Sequence, residues 1–374
     1  MKNAAMGVSP QRLARLAMEM SPVLADWFDA HGRDLPWRRT RDPYAVWVSE
    51  IMLQQTRVET VIPYYHAWLE RFSDVAALAR ATDDEVLKVW EGLGYYRRAL
   101  NLARAARLIV AAHGGRVPED HAALLALPGV GAYTAGAVAS FACNQPRPAV
   151  DGNVKRVLAR LLLVNGSLSG PAAARHLAES ARALIPLGRA RSFNQGLMEL
   201  GALICRNPPR CPDCPVRSFC EAARQGVQAE IPVREKRPAV TPLSVAAGVL
   251  VEDGKILVQK RPAMGLMPGL WEFPGGKLEP GETTGQALAR EFSEELDLAI
   301  SVGRKIAVIR HAYTRFSVTL HAFFCRLVPP GQDPRPTAAD EIRWVRPGEL
   351  SSLAFPAADV ELIRLLAERG VEPD

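Results

Sequence analysis

The chain has 374 residues, of which 48% are hydrophobic and 23% are charged, and its formal net charge is +6. That length suggests two or three domains, and the near-average composition excludes a disordered, collagenous or fibrous protein. Residues 1–240 hold 31 basic and 22 acidic residues, whereas residues 241–374 hold 15 and 18. A basic part followed by a mildly acidic part predicts a polyanion-binding domain joined to a different module.

The N-terminal stretch, residues 9–28, carries charged residues inside its apolar pattern, which is typical of an amphipathic helix rather than of a secretory signal. No apolar run approaches the roughly 20 residues that a membrane span requires, so we expect no association with a membrane. These features favour a reducing, cytoplasmic compartment, where cysteines are more often ligands, nucleophiles or core residues than disulfide partners.

Residues 10–225 show a helical pattern throughout. Asp42 followed by Pro43 predicts the N-cap and first position of a helix that extends to Gln55. Further helices are expected at about 59–71, 83–90, 97–113, 120–126, 132–142, 151–164, 171–185 and 192–204.

The pattern changes after residues 226–242, which have no apolar period, contain three prolines and are typical of a linker. Beyond them, Asp253-Gly254 stands between two apolar runs, which is a hairpin signal. The expected strands are 244–251, 255–260, about 306–310 and about 318–327, and the expected helices are about 283–296 and 357–369.

The two parts therefore differ in predicted fold class. We expect a multidomain protein with an all-α domain over residues 1–225, in which a glycine turn at residues 127–131 makes two helices a candidate helix-hairpin-helix, and an α+β domain over residues 243–374.

A glycine-rich turn separates two of the predicted helices. Gly129 and Gly131 allow a tight turn whose backbone N–H groups point outward, and with the next helix N-terminus these groups are suited to bind a DNA phosphate. An ordinary helix–helix loop is the alternative, and it is the commoner outcome for so short a motif taken alone.

Four of the six cysteines fall within sixteen residues, and they are Cys205, Cys211, Cys214 and Cys220. A Cys-x2-Cys pair with two outlying cysteines is able to enclose a [4Fe–4S] cluster or a zinc ion, and the spacing alone favours neither. The other two, Cys143 and Cys325, lie in apolar stretches and are expected in the core.

Several longer motifs point to one family. They are LPWR (35–38), SEIMLQQTRVETVIPYY (49–65), EGLGYYRRA (91–99), LPGVGAYTAGA (127–137), AVDGNVKRVLAR (149–160) and FNQGLMELGALIC (193–205). Together they resemble the MutY-type adenine DNA glycosylases of the endonuclease III superfamily. The resemblance implies excision of adenine mispaired with 8-oxoguanine, and also with guanine, from double-stranded DNA. It also implies a [4Fe–4S] cluster on the four cysteines, although the first cysteine spacing is one residue shorter than the family's usual six.

Two carboxylates are the candidate catalytic groups. Glu50 lies among apolar residues, which raise the pKa of a carboxyl toward that of a general acid, and a solvated glutamate is the commoner alternative. The resemblance implies that Glu50 protonates N7 of adenine, that Asp151 stabilises the charge developing at C1′, and that Asn153 helps to hold this site. Asp151 is also a suitable helix N-cap. Two carboxyls of opposed role around one glycosidic bond are the general scheme of glycosidases.

Tyr133 stands where bifunctional relatives carry a lysine. A tyrosine cannot form an imine with C1′, so a monofunctional glycosylase without β-lyase chemistry is expected.

A flipped base leaves a gap in the duplex that the protein must fill. The resemblance places four residues at the lesion or as wedges in the stack: Gln55, Thr56, Leu93 and Tyr95. It places four more around the adenine: Arg33, Trp37, Leu53 and Gln195. For Trp37 and Leu53, core packing is an equal alternative, since apolar lining does both jobs.

The C-terminal part resembles a MutT-like Nudix domain, because residues 276–298 nearly complete a Nudix box. Its carboxylates are Glu282, Glu291, Glu294 and Glu295, of which the last three share one helix face, where they are candidate ligands for Mg²⁺. A charged, solvated helix face is the alternative. The family's C-terminal domains typically lack these carboxylates and serve to read 8-oxoguanine. The resemblance therefore implies that this domain reads 8-oxoguanine, and the carboxylates leave open whether it has retained or recently lost pyrophosphohydrolase activity on an oxidised nucleotide such as 8-oxo-dGTP.

Two positions in this part depart from the family pattern. Asp297 stands where the Nudix box usually has glycine, and Tyr313-Thr314-Arg315 stands where the family's lesion-reading loop is usually Phe-Ser-His. Thr314 keeps a hydroxyl that is expected to face the lesion.

Two other functions stay open. One is an endonuclease III-like pyrimidine glycosylase, which Tyr133 disfavours, and the other is a Nudix nucleotide hydrolase fused to a DNA-binding module. The favoured expectation is a monomeric base excision repair enzyme in a bacterial cytoplasm, associated with the nucleoid.

Overall fold

The computed structural model describes residues 8–168, 170–233, 240–313 and 315–371. The backbone divides into two compact units. The first comprises Met1–Arg80 and Arg104–Lys236, and the second comprises Ala81–Ala103 and Arg237–Asp374.

Helices make up the chain as far as the cysteine-rich segment and just beyond it. In chain order they are α1 Pro10–His31, α2 Pro43–Met52, α3 Val58–Arg71, α4 Val75–Arg80, α5 Asp83–Trp90, α6 Arg97–His113, α7 His121–Leu125, α8 Ala132–Phe141, α9 Gly152–Leu162, α10 Pro171–Leu184, α11 Ala190–Leu203 and α12 Glu221–Gln225. The longer ones follow the predicted apolar periods, whereas the short α4 and α12 were not predicted.

Side-chain caps fix where the site-bearing helices begin. Asp42 accepts hydrogen bonds from the backbone N–H groups of Tyr44 and Ala45, at 3.1 and 3.3 Å, which confirms the predicted start of α2. Asp151 caps α9 in the same way, accepting from the N–H of Val154 at 2.7 Å. The predicted end of α2 at Gln55 is wrong, because the helix stops at Met52 and a turn follows.

One hydrophobic core of the first unit lies between α1, α9, α10 and α11. A Cβ placed on Gly201 of α11 would lie 2.7 Å from the Cβ of Asn153 on α9, so only glycine lets these helices pass so closely. The other pairing that matters for function is α2 against α8. Together these contacts bring the ends of α2, α8, α9 and α11 around one space.

The second unit contains a mixed sheet. Its strands are β1 Thr241–Glu252, β2 Lys255–Lys260, β3 Trp271–Glu272, β4 Gly275–Lys277, β5 Ile300–Ala312, β6 Phe316–Leu327 and β7 Glu341–Val345. Their order is β3-β2-β1-β6-β5, with β1 and β6 parallel and the other pairings antiparallel. β1 and β2 form the predicted hairpin, in which Asp253 and Gly254 both have positive φ.

Two helices flank this sheet, α13 Thr284–Leu296 and α14 Ala357–Arg369. Leu288 and Phe292 of α13 belong to one hydrophobic cluster, and Leu362 and Leu366 of α14 belong to another, so the sheet separates two cores. The predicted fold class, an all-α domain followed by an α+β Nudix-like domain, is confirmed. Among the helices in the described ranges, none combines the length and the apolar character that crossing a bilayer demands.

Candidate active site

One cavity of about 480 Å³ lies in the first unit. The candidate residues that line it are Arg33, Trp37, Glu50, Leu53, Gln55, Thr56, Tyr133, Asp151, Asn153 and Gln195. The fold thus brings together residues from widely separated motifs.

Glu50 of α2 is the buried acid of this cavity, with 3% of its surface exposed. The hydroxyl of Tyr133, on α8, donates a hydrogen bond to its carboxylate. Burial raises the pKa of Glu50 to about 7, and the nearby charge of Asp151 adds to that rise, against the opposing effect of the Tyr133 hydrogen bond. A carboxyl with this pKa is largely protonated at slightly acidic pH and is able to donate its proton near neutrality.

Asp151, the cap of α9, is the second acid. Asn153 donates to its carboxylate at 3.0 Å, and Arg156 in turn donates to the side-chain oxygen of Asn153 at 2.8 Å. Burial raises the pKa of Asp151, and its hydrogen bonds with Val154 and Asn153 oppose that rise. Asp151 is therefore held in a fixed orientation by its neighbours.

Two further cavity residues, Arg38 and Glu199, were not among the candidates from the sequence. Glu199 of α11 is 1% exposed, and it accepts hydrogen bonds from Arg33 at 2.8 Å and from Arg38 at 2.9 Å. Burial alone would raise the pKa of Glu199, but the bonds from the two arginines outweigh it and lower the pKa to about 2. The available signal was a single glutamate inside the apolar period of α11, since buried carboxylates need cationic partners.

The candidate wedge residues have strained backbones. Gln55, in the turn after α2, has φ +62°, and Tyr95, in the second unit, has φ +50°. Left-handed conformations of non-glycine residues concentrate at functional sites. Gly92 and Gly94 also have positive φ, so residues 92–96 form a tight turn, here called the wedge turn. Tyr95 is 40% exposed at its surface, whereas Leu93 is buried.

The helix-hairpin-helix turn has the geometry expected for an anion site. Gly129 has φ +76°, and Gly131 is the N-cap of α8 with open space where a Cβ would stand. The first free N–H groups of α8 therefore follow two glycines, as phosphate binding requires.

The four clustered cysteines line one small cavity in the first unit together with Arg160 and Arg217. All four are free thiols, and burial raises the pKa of Cys211, Cys214 and Cys220. Within the described ranges, His, Cys, Asp and Glu side chains do not gather into a ready-made group of three or more metal ligands. The donor set nevertheless suits a metal, because four thiols face one space and Arg160 donates to Cys205 Sγ at 3.3 Å.

The Nudix carboxylates are occupied by protein groups. Arg290 donates to Glu282 at 2.9 Å, to Glu291 at 3.0 Å and to Glu294 at 3.2 Å, and Gln259 donates to Glu295 at 2.7 Å. The predicted sharing of one helix face by Glu291, Glu294 and Glu295 on α13 is present, but the predicted Mg²⁺ site is not supported. The physical reason is that protein groups already occupy these carboxylate oxygens, with Arg290 bound to Glu282, Glu291 and Glu294 and the neutral Gln259 amide bound to Glu295.

The two sequence departures have different outcomes. Asp297 ends α13 in the left-handed conformation, with φ +57°. That conformation explains the usual glycine, and aspartate is one of the few other residues that tolerate it. Tyr313 is half-buried and burial raises its pKa to about 12, whereas Thr314 lies outside the described residues.

Comparison with known proteins matches both parts of the chain. Residues 48–186 match the HhH-GPD superfamily of base excision DNA repair proteins, and residues 245–365 match the NUDIX domain. An adenine DNA glycosylase of Homo sapiens is 35% identical over 411 residues, which cover 94% of this chain and 74% of the relative. An adenine DNA glycosylase of Mycolicibacterium smegmatis is 46% identical over 215 residues, which cover 57% and 72%.

A solved structure shares the helical fold. It is that of a thermostable thymine-DNA glycosylase, which is 30% identical, covers 56% of this chain and 98% of its own, and has a TM-score of 0.51. The human relative, which covers nearly all of this chain, the two family matches and the shared helical fold all agree with one another. The chain therefore belongs to the adenine DNA glycosylase family, whose members are DNA N-glycosylases of base excision repair, and it carries a Nudix domain at its C-terminal end.

Proposed function

We propose that the chain hydrolyses the N-glycosidic bond of adenine mispaired with 8-oxoguanine, and also with guanine, in double-stranded DNA. The observation that carries this proposal is the pairing of Glu50, with its pKa of about 7, and Asp151 across one cavity. The names of the relatives support adenine as the base that leaves.

In this reaction Glu50 donates its proton to N7 of the flipped adenine. The electron pair of the bond between C1′ and N9 leaves with the base, which departs neutral, and the positive charge that develops at C1′ faces the Asp151 carboxylate. Water then adds to C1′ and gives up a proton to the Glu50 carboxylate, which restores the acid. Tyr133 keeps the Glu50 carboxyl oriented, and Asn153 does the same for Asp151.

The enzyme is proposed to be monofunctional, since position 133 holds a tyrosine. Lys155 also lines the cavity, so this point needs a direct test. Borohydride should trap no covalent complex with the wild type, and Lys155→Met should give the same background. Efficient trapping that Lys155→Met removes would show a lyase and contradict the proposal.

Lesion contacts are proposed for Gln55, Thr56, Leu93 and Tyr95, with Thr314 in the Nudix domain reading 8-oxoguanine and with phosphates held by Gly129 and Gly131. The positive φ values of Gln55 and Tyr95 support the wedge role. Arg33, Trp37, Leu53 and Gln195 are proposed to hold the adenine, because all four line the cavity with Glu50.

A cleavage assay with the full chain tests the function. Duplexes with A:8-oxoguanine, A:G, thymine glycol and A:T are compared, with Glu50→Gln as the inactive variant and the exposed Glu70→Gln as the matched control. We expect the wild type and Glu70→Gln to cleave the two adenine mispairs and neither of the other duplexes, and we expect Glu50→Gln to cleave none. Cleavage at thymine glycol would point to the pyrimidine glycosylase instead.

Cys205, Cys211, Cys214 and Cys220 are proposed to hold a [4Fe–4S] cluster, which would tie the loop between α11 and α12 together. Iron and acid-labile sulfide in the purified protein would support this proposal. Zinc without sulfide would replace it with the alternative that the cysteine spacing leaves open.

Nucleotide pyrophosphohydrolysis is the second candidate function. The observation that favours it is that Glu272, Glu291 and Glu295 lie close enough for Glu291 to raise the pKa of the other two, in addition to the larger effect of burial. Turnover of 8-oxo-dGTP by the full chain with Mg²⁺, abolished in Glu295→Gln, would establish the activity, and no turnover would dismiss it.

A further inference from the structure

Hydrogen bonds from neighbouring side chains hold the wedge turn in one conformation. The indole N–H of Trp90 donates to the carbonyl of Gly94 at 3.0 Å, and the N–H of Gly92 donates to the Tyr96 hydroxyl at 3.1 Å. Arg98 donates to the carbonyls of Leu93 at 3.3 Å and Gly94 at 3.0 Å, and its guanidinium lies 5.5 Å from the centre of the Tyr95 ring. The turn therefore moves as one piece with the end of α5.

Helix α5 belongs to the same compact unit as the Nudix sheet, and side-chain contacts show why. A Cβ placed on Gly269, in the loop after β2, would lie 3.0 Å from a methyl carbon of Leu87, so the helix packs directly on that loop. Lys260 at the end of β2 forms an ion pair with Asp84 in the first turn of α5. These two contacts fix the N-terminal half and the middle of the helix.

The C-terminal end of α5 is fixed by residues 353–355, here called the strap. The carbonyl of Leu353 accepts from Lys88 Nζ at 3.0 Å, and the N–H of Phe355 donates to Glu91 Oε1 at 2.8 Å. The other carboxylate oxygen of Glu91 accepts from Lys88 at 2.6 Å. The carbonyl between these two strap residues, that of Ala354, accepts from the N–H of Trp271 on β3 at 2.8 Å.

The backbone groups of the strap thus form hydrogen bonds alternately with helix α5 and with strand β3. Its own anchor is Phe355, which is buried and stacks on Phe273 with ring centres 5.8 Å apart. The Lys88 and Glu91 side chains are 34% and 19% exposed, so their hydrogen bonds are charge-assisted and only partly screened by water. Glu91 directly precedes Gly92, so no flexible residue separates this tie from the wedge turn.

We propose that Glu91 and Lys88 are positioning residues that tie the wedge turn to the Nudix domain, so that reading the base opposite adenine and wedging the stack are mechanically coupled. The coupling between reading and wedging rests on the proposed glycosylase function. The attachment of the wedge turn to the Nudix domain through Glu91 and Lys88 does not. Both residues lie outside the acid pair and the adenine pocket, so their effect falls on extrusion of the base rather than on bond cleavage.

Hydrogen–deuterium exchange on the full chain without DNA tests the tie. Glu91→Ala should speed exchange in peptides covering both residues 92–96 and residues 353–355, while Glu91→Gln, which keeps an acceptor for the Phe355 N–H, should change exchange little. The control is Glu368→Gln, which removes one member of an exposed ion pair with Arg364 on α14. Unchanged exchange in Glu91→Ala would overturn the proposal.

Single-turnover cleavage tests the coupling. One substrate pairs adenine with 8-oxoguanine, and the other places adenine opposite an abasic analogue, where no base pair has to be broken. Glu91→Ala and Lys88→Met should slow the first reaction about tenfold, the equivalent of one charge-assisted hydrogen bond, and leave the second unchanged. Equal slowing of both, or of neither, would refute the coupling. If the wild type cleaves neither substrate, the glycosylase proposal fails and the exchange experiment still decides the tie.

Discussion

The active-site cavity of the first unit and the Nudix box of the second both present carboxylates at the spacing of a known motif, but the carboxylates meet different partners. Glu50 receives a hydrogen bond from a neutral hydroxyl, that of Tyr133, whereas Glu291 and Glu294 receive theirs from the guanidinium of Arg290. A neutral partner leaves burial as the dominant influence, and the pKa of Glu50 rises to about 7. A shared cationic partner offsets part of the negative charge of the carboxylates and makes them part of the structure.

The largest effect is expected from removing the acidic proton of Glu50 in the active-site cavity. Glu50→Gln keeps the shape of the side chain but has no proton to donate to adenine N7. We expect the single-turnover cleavage rate to fall by about 10³-fold or more, near the upper range for loss of a general acid. A loss smaller than about tenfold would show that another group protonates the base, and Tyr133 would be the first to examine.

The second acid should give a smaller loss. Asp151→Asn keeps a good N-cap for α9, so the fold should be retained, but it removes the negative charge facing C1′. A decrease in cleavage rate of about 10²-fold is expected, as for loss of one preorganised electrostatic group. Circular dichroism and the melting temperature serve as controls, since a variant that unfolds would report on the cap and not on the chemistry.

The raised pKa of Glu50 also predicts how stability depends on pH. In the unfolded chain its pKa returns to about 4.5, so between pH 4.5 and 7 the folded state binds more protons than the unfolded state. Stability therefore falls as the pH rises through this window, by about 3 kcal/mol at most. Glu50→Gln should lack this fall and be more stable than the wild type at pH 8, which denaturant unfolding at pH 4, 6 and 8 would measure. Parallel curves for the two proteins would mean that Glu50 titrates normally.

The dependence of each carboxylate on its hydrogen-bonding partner also explains how much of the fold and of the site could be predicted from the sequence. The motif residues of α2, α8 and α9 reach the cavity because caps and apolar periods are local signals, and Asp42 and Asp151 start their helices as predicted. The hydrogen bonds that Glu199 accepts from Arg33 and Arg38 were not predicted, because the two arginines are more than 160 residues away from it in the sequence. Partners at such distances are set by packing, which no local period encodes.

The Nudix box also shows that contacts between distant residues could not be predicted from the sequence. Its spacing correctly predicted helix α13 and the shared face of its glutamates, but Mg²⁺ ligation depends on where the Arg290 guanidinium lies. Similarly, no local signal predicts that residues 81–103 pack with the C-terminal sheet, because the strap that holds them lies about 260 residues further along the chain.

The smallest effect is expected from removing that guanidinium. Arg290→Gln leaves Glu282, Glu291 and Glu294 close together without their cation, so their mutual repulsion should lower the melting temperature by about 2–4 °C at neutral pH. Because the hydrogen bond from Arg290 holds the pKa of Glu282 below its usual range, the advantage of the wild type should shrink as the pH falls through that lowered pKa. Glycosylase activity should stay unchanged, since the active-site cavity contains none of these residues. Adding Mg²⁺ sharpens the comparison: recovery of the lost stability in Arg290→Gln, but not in the wild type, would show that the guanidinium occupies the place of a metal. A melting temperature that responds to Mg²⁺ equally in both proteins would show that Arg290 and the metal do not compete.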